Sequence, residues 1–149
     1  MTRTHPNTID TEILDFITAN KVATICCSDA NSPYCFSCFY SATEDGTYLV
    51  FKSSEDTKHI KILLQNNLVA GTIIPPEISM AKVTGVQFEG TLITEDRADK
   101  NAGSSYYSRF PFAGVVPGKI WVIELASIKY TSTVFGIKTK KNWEKELAK

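Results

Sequence analysis

The sequence lacks the long apolar run that a membrane-spanning helix or a secretory signal requires. No window of its 149 residues approaches about 18 uninterrupted apolar residues, and the start Met-Thr-Arg-Thr-His-Pro contains no apolar segment. An excess of charge is missing as well, because 16 basic residues balance 16 acidic ones. A chain without net charge creates no global field that attracts nucleic acid or an anionic membrane. We therefore expect a cytoplasmic protein that binds neither.

Cysteine and histidine are scarce, which restricts metal and redox chemistry. The four cysteines lie at positions 26, 27, 35 and 38, and the two histidines at 5 and 59. Cys35-x-x-Cys38 is half of a zinc or redox motif, but no second half accompanies it. The aromatic stretch 34–40 predicts a strand, in which residues three apart point to opposite faces. We expect no metal site and small, reduced, buried thiols, with metal or disulfide chemistry as the minor alternative.

Length and apolar content predict one domain over residues 1–149 with a core of its own. A chain of this length buries about 68–70% of its unfolded surface, and 43% of these residues are apolar. We expect residues 1–7 to form a flexible tail, which would leave His5 outside the folded part. The remaining chain shows no internal repeat, linker or low-complexity tract.

Hydrophobic periodicity and turn residues predict a mainly β chain. Strands are predicted at 22–28, 34–41, 47–52, 68–74, 81–94, 119–126 and 128–135. Helical patterns cover 9–20, capped by Asn7 or Thr8, and 57–66; the stretch 95–109 is helical in part, with an interruption at Gly103-Ser104-Ser105. The stretch 136–143 leads to a short charged helix. Six or seven short strands with few helices predict a small closed or nearly closed barrel with peripheral helices.

The region 48–66 predicts a strand, a polar turn and a helix with cations in its first turn. Cations are unfavourable there by roughly 0.3–1 kcal/mol each, because the free N–H groups leave partial positive charge. A bound anion would remove that cost. The hydroxyls of Ser53, Ser54 and Thr57, together with the charge of Lys58, describe a phosphate cradle at a helix N-terminus.

A second interpretation of the same turn needs no ligand. Asp56 would cap the helix, and Glu55 and Asp56 would neutralise the nearby lysines. The lysines at 52, 58 and 61 would then be a solvated face of an empty dimeric barrel. The residues alone leave both interpretations open.

Two further stretches have features that an ordinary strand or loop does not need. Gly85 and Gly90 inside the long strand 81–94 indicate bulges, or close approach of another backbone or a ligand. The apolar loop 110–118 contains two prolines, and we expect it to pack against a partner or a ligand rather than face water.

Several segments, in this order, resemble the FMN-binding split barrel of the pyridoxamine 5'-phosphate oxidase family. They are Leu49-Val50-Phe51-Lys52-Ser53-Ser54, Asp56-Thr57-Lys58-His59, Asn66-Asn67-Leu68-Val69-Ala70 and Gly85-Val86-Gln87-Phe88-Glu89-Gly90. The resemblance covers about residues 8–135, and it rests on the order and spacing of the segments rather than on one motif. Within the family the sequence looks closest to small bacterial members of unsettled activity.

The resemblance implies a binding site for FMN. Relatives hold the flavin phosphate with a basic residue at the start of the helix, where this sequence has Lys58, and line the ring with the strand that contains Cys35 to Cys38. Gln87 is the candidate for a hydrogen bond to the ring, although an exposed sheet residue is the plain alternative. The implied cofactor-binding set is Phe36, Ser37, Cys38, Lys52, Ser53, Ser54, Thr57, Lys58 and Gln87.

The resemblance also implies a homodimer with the cofactor at the subunit interface. The loop 110–118 would contribute to that interface, and Lys138, Lys140 or Lys141 would approach the cofactor of the second subunit. His59 would lie beside the phosphate rather than act as a proton shuttle.

Departures from the family pattern weaken the comparison with the true oxidases. Phe36 stands where an Arg contacts the phosphate, and Gly85 replaces a ring-contacting Gln. Charge-assisted hydrogen bonds contribute about 1.5–3 kcal/mol each, so phosphate binding should be weaker and pyridoxamine phosphate is not the expected substrate. The sequence therefore predicts an FMN-dependent oxidoreductase acting on an unidentified small substrate, with a non-catalytic flavin- or haem-binding dimeric barrel as the alternative.

Overall fold

The computed structural model describes residues 7–98 and 101–146, which form eight strands and three α-helices. In chain order these are α1 Thr11–Ala19, β1 Val22–Asp29, β2 Ser32–Phe39, β3 Ser41–Ala42, β4 Tyr48–Ser53, α2 Lys58–Gln65, β5 Leu68–Ile73, β6 Lys82–Ile93, α3 Ala102–Arg109, β7 Lys119–Val134 and β8 Ile137–Glu144. Two short 3₁₀ turns, Glu95–Arg97 and Pro111–Val115, flank α3. The mainly β prediction is confirmed.

All strands belong to one antiparallel sheet in the order β2-β1-β5-β6-β7-β4-β3, and β8 also pairs with β7. The long strand β7 pairs along its length with β6, while its other edge pairs first with β4 and then with β8. The sheet curls so that β2 and β4 approach each other, and Phe36 and Phe51 bring their ring centroids within 5.8 Å. Among the described residues no ladder joins these two strands, so the barrel is split there.

The inner face of the curled sheet holds the hydrophobic core. Alternate residues of β1, namely Ala23, Ile25 and Cys27, point inward and are buried. Helices α1 and α2 add fully buried isoleucine and leucine side chains to this core, which are Ile13, Ile17, Ile60 and Leu63. A second, smaller cluster lies under α3 and contains Val50, Ala102, Tyr106 and Val122.

A bulge explains why β7 is one strand and not the predicted two. The β6–β7 register shifts between Glu89 and Gly90, so that Glu89 faces Ser127 while Gly90 faces Leu125. A Cβ at Gly90 would lie 2.6 Å from the carbonyl oxygen of Glu124, so only glycine fits this approach. The extra residue in β7, Ala126, has no partner in β6, and the strand continues through it. The bulge predicted at Gly90 is confirmed.

The end of the chain differs from its prediction. Phe135 and Gly136 have φ of 50° and 81°, which is the conformation of a tight hairpin turn. Strand β8 then occupies the stretch that was expected to lead to a short charged helix. Glu144 ends β8, and residues 147–149 of the expected charged helix lie outside the described residues.

Two helix predictions also need correction. Asp10, and neither Asn7 nor Thr8, caps α1, since its Oδ1 accepts a hydrogen bond from the Glu12 N–H at 2.9 Å. Helix α3 runs without interruption through Gly103, which is buried and packs beside the Glu95 carboxylate. Residues 1–6 of the expected tail lie outside the described residues. The carbonyl of Asn7 accepts a hydrogen bond from the Trp143 indole at 2.9 Å.

Candidate functional site

A pocket of about 450 Å³ lies at the split between β2 and β4. Five residues of the predicted cofactor set line it, and they are Phe36, Ser37, Cys38, Lys52 and Ser53. The other lining residues are Phe39, His59, Tyr106, Phe110, Phe112, Ala113, Val116 and Pro117. We call Ser53, His59 and the first turn of α2 the polar wall, and residues 110–117 the apolar wall.

The polar wall is organised around His59. Its Nε2 lies 2.7 Å from Ser53 Oγ and 3.3 Å from Thr57 Oγ1. The imidazole stacks on the Phe36 ring, with 3.8 Å between centroids and 12° between planes. Burial lowers the pKa of His59 from its ordinary value of 6.5, so the ring is neutral at neutral pH. The Trp121 indole donates to the Ser53 carbonyl at 2.9 Å, which fixes the end of β4.

Thr57 is the N-cap of α2. Its Oγ1 accepts a hydrogen bond from the Ile60 N–H at 3.4 Å and donates to the Ser54 carbonyl at 2.8 Å. Asp56 instead accepts a hydrogen bond from the Ser54 hydroxyl, which is the main cause of its lowered pKa. The interpretation in which Asp56 caps the helix is therefore wrong. The hydroxyls of Ser54 and Thr57 already have partners within the chain.

The charge of Lys58 is not neutralised by its neighbours. Its side chain is exposed, and its Nζ lies 4.6 Å from the centroid of the Tyr34 ring. Glu55 forms its ion pair with Lys119 instead. Within residues 7–98 and 101–146 no carboxylate lies in ion-pair distance of Lys58. A cation thus stands in the first turn of α2, beside N–H groups that a helix leaves without an internal acceptor.

The apolar wall is fixed to the sheet at two points. Lys52 Nζ donates to the Ala113 carbonyl at 2.7 Å and lies 5.0 Å from the centroid of the Tyr107 ring. Arg109, just before the wall, donates to the carbonyls of Thr18 at 3.0 Å and Tyr40 at 3.3 Å, and also to that of Asn20. The backbone of the wall is thereby held against the ends of α1, β2 and β4.

The side chains of the apolar wall remain largely uncovered within one chain. Phe112 is 87% exposed and Val115 86% exposed. Single exposed apolar residues are ordinary, but several in one short segment indicate a surface that binds something. The expectation that 110–118 packs against a partner or a ligand stays a prediction.

Gln87 is not brought to this pocket. It is exposed on the outer face of β6 and lines a separate depression of about 440 Å³, together with Cys26, Lys129 and Asn142. Of the three C-terminal lysine candidates, Lys141 forms ion pairs within its own chain, with Asp10 at 3.1 Å and Glu12 at 2.9 Å. Lys138 and Lys140 are exposed on β8.

Comparison with known proteins assigns the chain to a family. A UPF0306 protein from Serratia proteamaculans is 31% identical over 134 residues, which cover 89% of this chain and 92% of the relative. One from Yersinia pseudotuberculosis is 32% identical over 132 residues, which cover 87% of this chain and 89% of the relative. The chain belongs to the UPF0306 protein family. No family model matches it.

Solved structures confirm the fold of this UPF0306 protein. A heme binding protein from Mycobacterium smegmatis superimposes with a TM-score of 0.68 at 13% identity, over 89% of this chain and 58% of that one. A FAD-binding protein from Mesorhizobium loti gives 0.64 at 15% identity, over 83% and 94%. A putative pyridoxamine 5'-phosphate oxidase from Listeria innocua gives 0.61 at 14% identity, over 80% and 94%. The predicted split barrel of the pyridoxamine 5'-phosphate oxidase type is confirmed.

The described residues of the UPF0306 chain contain no helix with both the length and the hydropathy needed to cross a bilayer.

The sequence did not reveal two features of the site. Tyr106 and Phe110 reach the pocket from α3 and the apolar wall, far along the chain from Phe36, and no local pattern links them. Cys26 and Cys35 lie directly opposite each other on β1 and β2, and Cys35 is exposed, so the expectation of a buried thiol is wrong there. Cys26 and Cys35 lie equally far in sequence from the centre of the hairpin turn at 30–31, and this symmetry could have predicted that they face each other.

Proposed function

We propose that this UPF0306 protein binds FMN, with the flavin phosphate at the start of α2 and the isoalloxazine ring in the pocket between the polar and apolar walls. One observation carries the proposal: the helix start and the pocket are continuous. Ser53 and His59 belong to both, since they line the pocket and contact the first turn of α2. A phosphate at the helix start would therefore direct an attached aromatic ring into the pocket.

The helix start suits a phosphate in part. A dianion beside Lys58 would offset the unfavourable position of this cation and accept hydrogen bonds from the first-turn N–H groups. Ser53 supplies a hydroxyl that contacts only His59 among the described residues. Phe36 stacks on His59 and provides no charge, so phosphate affinity should rest mainly on Lys58 and the helix backbone.

The pocket suits a planar aromatic group. Its volume lies within the range of roughly 300–1,000 Å³ that small-molecule sites occupy, and Phe36, Tyr106 and Phe110 give it aromatic surfaces. The backbone of Ser37 and Cys38 lies along the edge strand β2, where N–H and C=O groups can bond a polar ring edge. The flavin-related names of two structural neighbours, a FAD-binding protein and a putative pyridoxamine 5'-phosphate oxidase, support the same ligand class.

The proposal includes a homodimer, because one chain leaves the site incomplete. Phe112 and Val115 of the apolar wall would be covered by a second copy, and Gln87, Lys138 or Lys140 would reach the pocket only from that copy. In a two-fold symmetric dimer, each chain would contribute these residues to the pocket of the other chain.

The proposed activity is that of a flavin-dependent oxidoreductase in the cytoplasm, acting on an unidentified small substrate. Bound flavin would supply the electron-transfer chemistry. The chain's own residues would hold the phosphate, orient the ring and exclude water. His59, which is hydrogen-bonded to Ser53 and whose pKa burial lowers from 6.5, is the histidine that lines the pocket in the described chain.

A non-catalytic flavin- or haem-binding barrel is the second candidate. It is favoured by the chemistry of the lining, since none of the described residues that line the pocket carries a carboxylate, and His59 already has partners on both its ring face and its Nε2. One structural neighbour is described as a heme binding protein.

The visible spectrum of protein that has been supplemented with FMN and then desalted tests the proposal. We expect one flavin per chain, with bands at roughly 370 and 450 nm, the positions typical of oxidised flavin held by a protein. A colourless protein would contradict the FMN site, and a haem titration would then decide the second candidate. Reduction of bound flavin by NADH or NADPH, with turnover, separates the enzyme from the binding module.

A further inference from the structure

Cys26 and Cys35 form a close pair of thiols on the outer face of the sheet. They are direct partners in the β1–β2 register, and their Sγ atoms lie 2.6 Å apart. Both point away from the core, because their inward neighbours Ile25 and Cys27 are buried. Cys35 is exposed and Cys26 is half-buried. Within a single chain the sulfur atoms therefore meet at a surface that small reagents can reach.

The backbone at this pair has the spacing that a cross-strand disulfide requires. Pro33 faces Ser28 and has no N–H, so this pair cannot exchange hydrogen bonds. Hydrogen-bonded and non-hydrogen-bonded pairs alternate along an antiparallel ladder, which makes Cys26 and Cys35, two residues further, a non-hydrogen-bonded pair. Such pairs have Cα atoms about 4.5 Å apart, inside the range of about 4.4–6.8 Å that disulfides accept.

We propose that Cys26 and Cys35 are a reversible redox modification site, a dithiol that hydrogen peroxide converts to a disulfide. The exposed Cys35 sulfur attacks the peroxide, the O–O bond breaks, and a sulfenic acid and one water form. Cys26 sulfur then displaces the hydroxyl of the sulfenic acid, an S–S bond replaces the S–O bond, and a second water leaves with the Cys26 proton. Two thiols lose two electrons, and the peroxide gains them.

The other two cysteines are not equivalent to this pair. Cys27 is buried, and its thiol donates to the Tyr34 carbonyl at 3.5 Å. Cys38 points inward, and burial raises its pKa to about 12. In the dithiol, the Cys35 hydrogen bond, followed by burial, raises the pKa of Cys26 to about 11, so Cys26 is protonated before Cys35 reacts.

A disulfide here would act on the edge of the pocket. Cys35 immediately precedes Phe36, and β2 pairs through a ladder only with β1 among the described strands. The bond would fix this edge strand to the strand behind it, next to the residues that line the split. The inference rests on the β1–β2 geometry and does not depend on FMN binding.

The first test uses Cys27→Ala/Cys38→Ala, which leaves only the proposed pair. Peroxide treatment should remove both remaining free thiols, lower the intact mass by two hydrogens and leave a monomeric band on a non-reducing gel; dithiothreitol should restore both thiols. Persistence of two thiols, a disulfide-linked dimer, or sulfinic acid at Cys35 with Cys26 still reduced would each overturn the proposal.

A second test keeps the wild-type chain, in case the double variant folds poorly. Chymotryptic cleavage after Tyr34 and Phe36 separates Cys35 from Cys38, so mass spectrometry of the oxidised protein can identify the fragment that is joined to Cys35. A link to the Cys26-Cys27 fragment that fragment-ion masses assign to Cys26 supports the proposal, and a link to Cys27 or Cys38 overturns it. Cys35→Ser should abolish the link and the loss of two thiols, and Cys38→Ser should preserve both.

Discussion

The two walls of the pocket are completed to different degrees within one chain. In the polar wall, His59 contacts Ser53 and Thr57 and stacks on Phe36, so its geometry is set before any ligand arrives. In the apolar wall the backbone is anchored, yet Phe112 is 87% exposed. A preorganised polar surface beside an uncovered apolar one is what a site shared between a chain, a ligand and a second chain requires. In the proposed function, the polar wall would therefore recognise the ligand, and the ligand or a second chain would complete the apolar wall.

Loss of the Arg109 anchor should have the largest effect. The half-buried guanidinium donates to the carbonyls of Thr18, Asn20 and Tyr40, and Arg109→Ala would leave them without this donor. Hydrogen bonds to charged groups contribute about 1.5–3 kcal/mol each and are not additive, so we expect urea denaturation to show a loss of about 3 kcal/mol. Arg109→Lys keeps the charge but lacks the several N–H donors of the guanidinium, so it should lose part of this stability. A loss below about 0.5 kcal/mol, the range of an ordinary surface substitution, would show that the apolar wall is held by other contacts.

Removal of the Lys58 charge should have the next largest effect, on the polar wall. One charge-assisted hydrogen bond to phosphate contributes about 1.5–3 kcal/mol, which corresponds to an increase of roughly 10- to 100-fold in the FMN dissociation constant of Lys58→Ala. Fluorescence titration of FMN measures it.

Lys61→Ala is the matched control for this prediction. Lys61 is exposed on the same helix, beyond its first turn, and its removal changes the net charge equally. We expect its FMN affinity to stay within about twofold of wild type, because the helix N-terminal field falls off after the first turn. If both variants lost the same FMN affinity, the effect would come from the change in net charge alone, and the phosphate site at the start of α2 would be contradicted.

The polar wall could be predicted from the sequence because its parts are neighbours in the chain. Ser53, Thr57 and Lys58 follow one another through a strand end, a turn and a helix cap, and each step has a local signal. The apolar wall is anchored by Arg109 on carbonyls more than 60 residues away in sequence, and no periodicity indicates such contacts. The continuity of β7 was missed for a similar reason, since it depends on a bulge where Gly90 meets Glu124 across the ladder. Gln87 was assigned to the flavin ring only from the family resemblance. Because it lies outside the pocket of its own chain, that role would require a second chain.

Phe112→Ser sharpens the comparison from the apolar side. Because the ring is exposed in one chain, the free energy of unfolding of the monomeric chain should change by less than about 0.5 kcal/mol. If a ligand or partner covers part of the ring, its removal costs about 1 kcal/mol of that binding, or roughly fivefold in the FMN dissociation constant or the dimer dissociation constant. Phe51→Ser, in the core, is the contrasting control and should instead lose stability. If Phe112→Ser changes neither constant, the apolar wall is ordinary surface.

The smallest effect is expected from the protonation of His59. Burial lowers its pKa in the folded protein, so between that value and the unfolded value of about 6.5 the unfolded chain binds more protons. The stability contributed by neutral His59 is therefore present above about pH 6.5 and is lost as the pH falls through the folded-state pKa. Urea denaturation at pH 7.5 and pH 5 should show a larger acid-induced loss for wild type than for His59→Gln. His5 is present in both proteins and cancels from the difference. Equal losses would mean that the imidazole in the polar wall is as well solvated as in the unfolded chain, and the wall would then be no more preorganised than the apolar one.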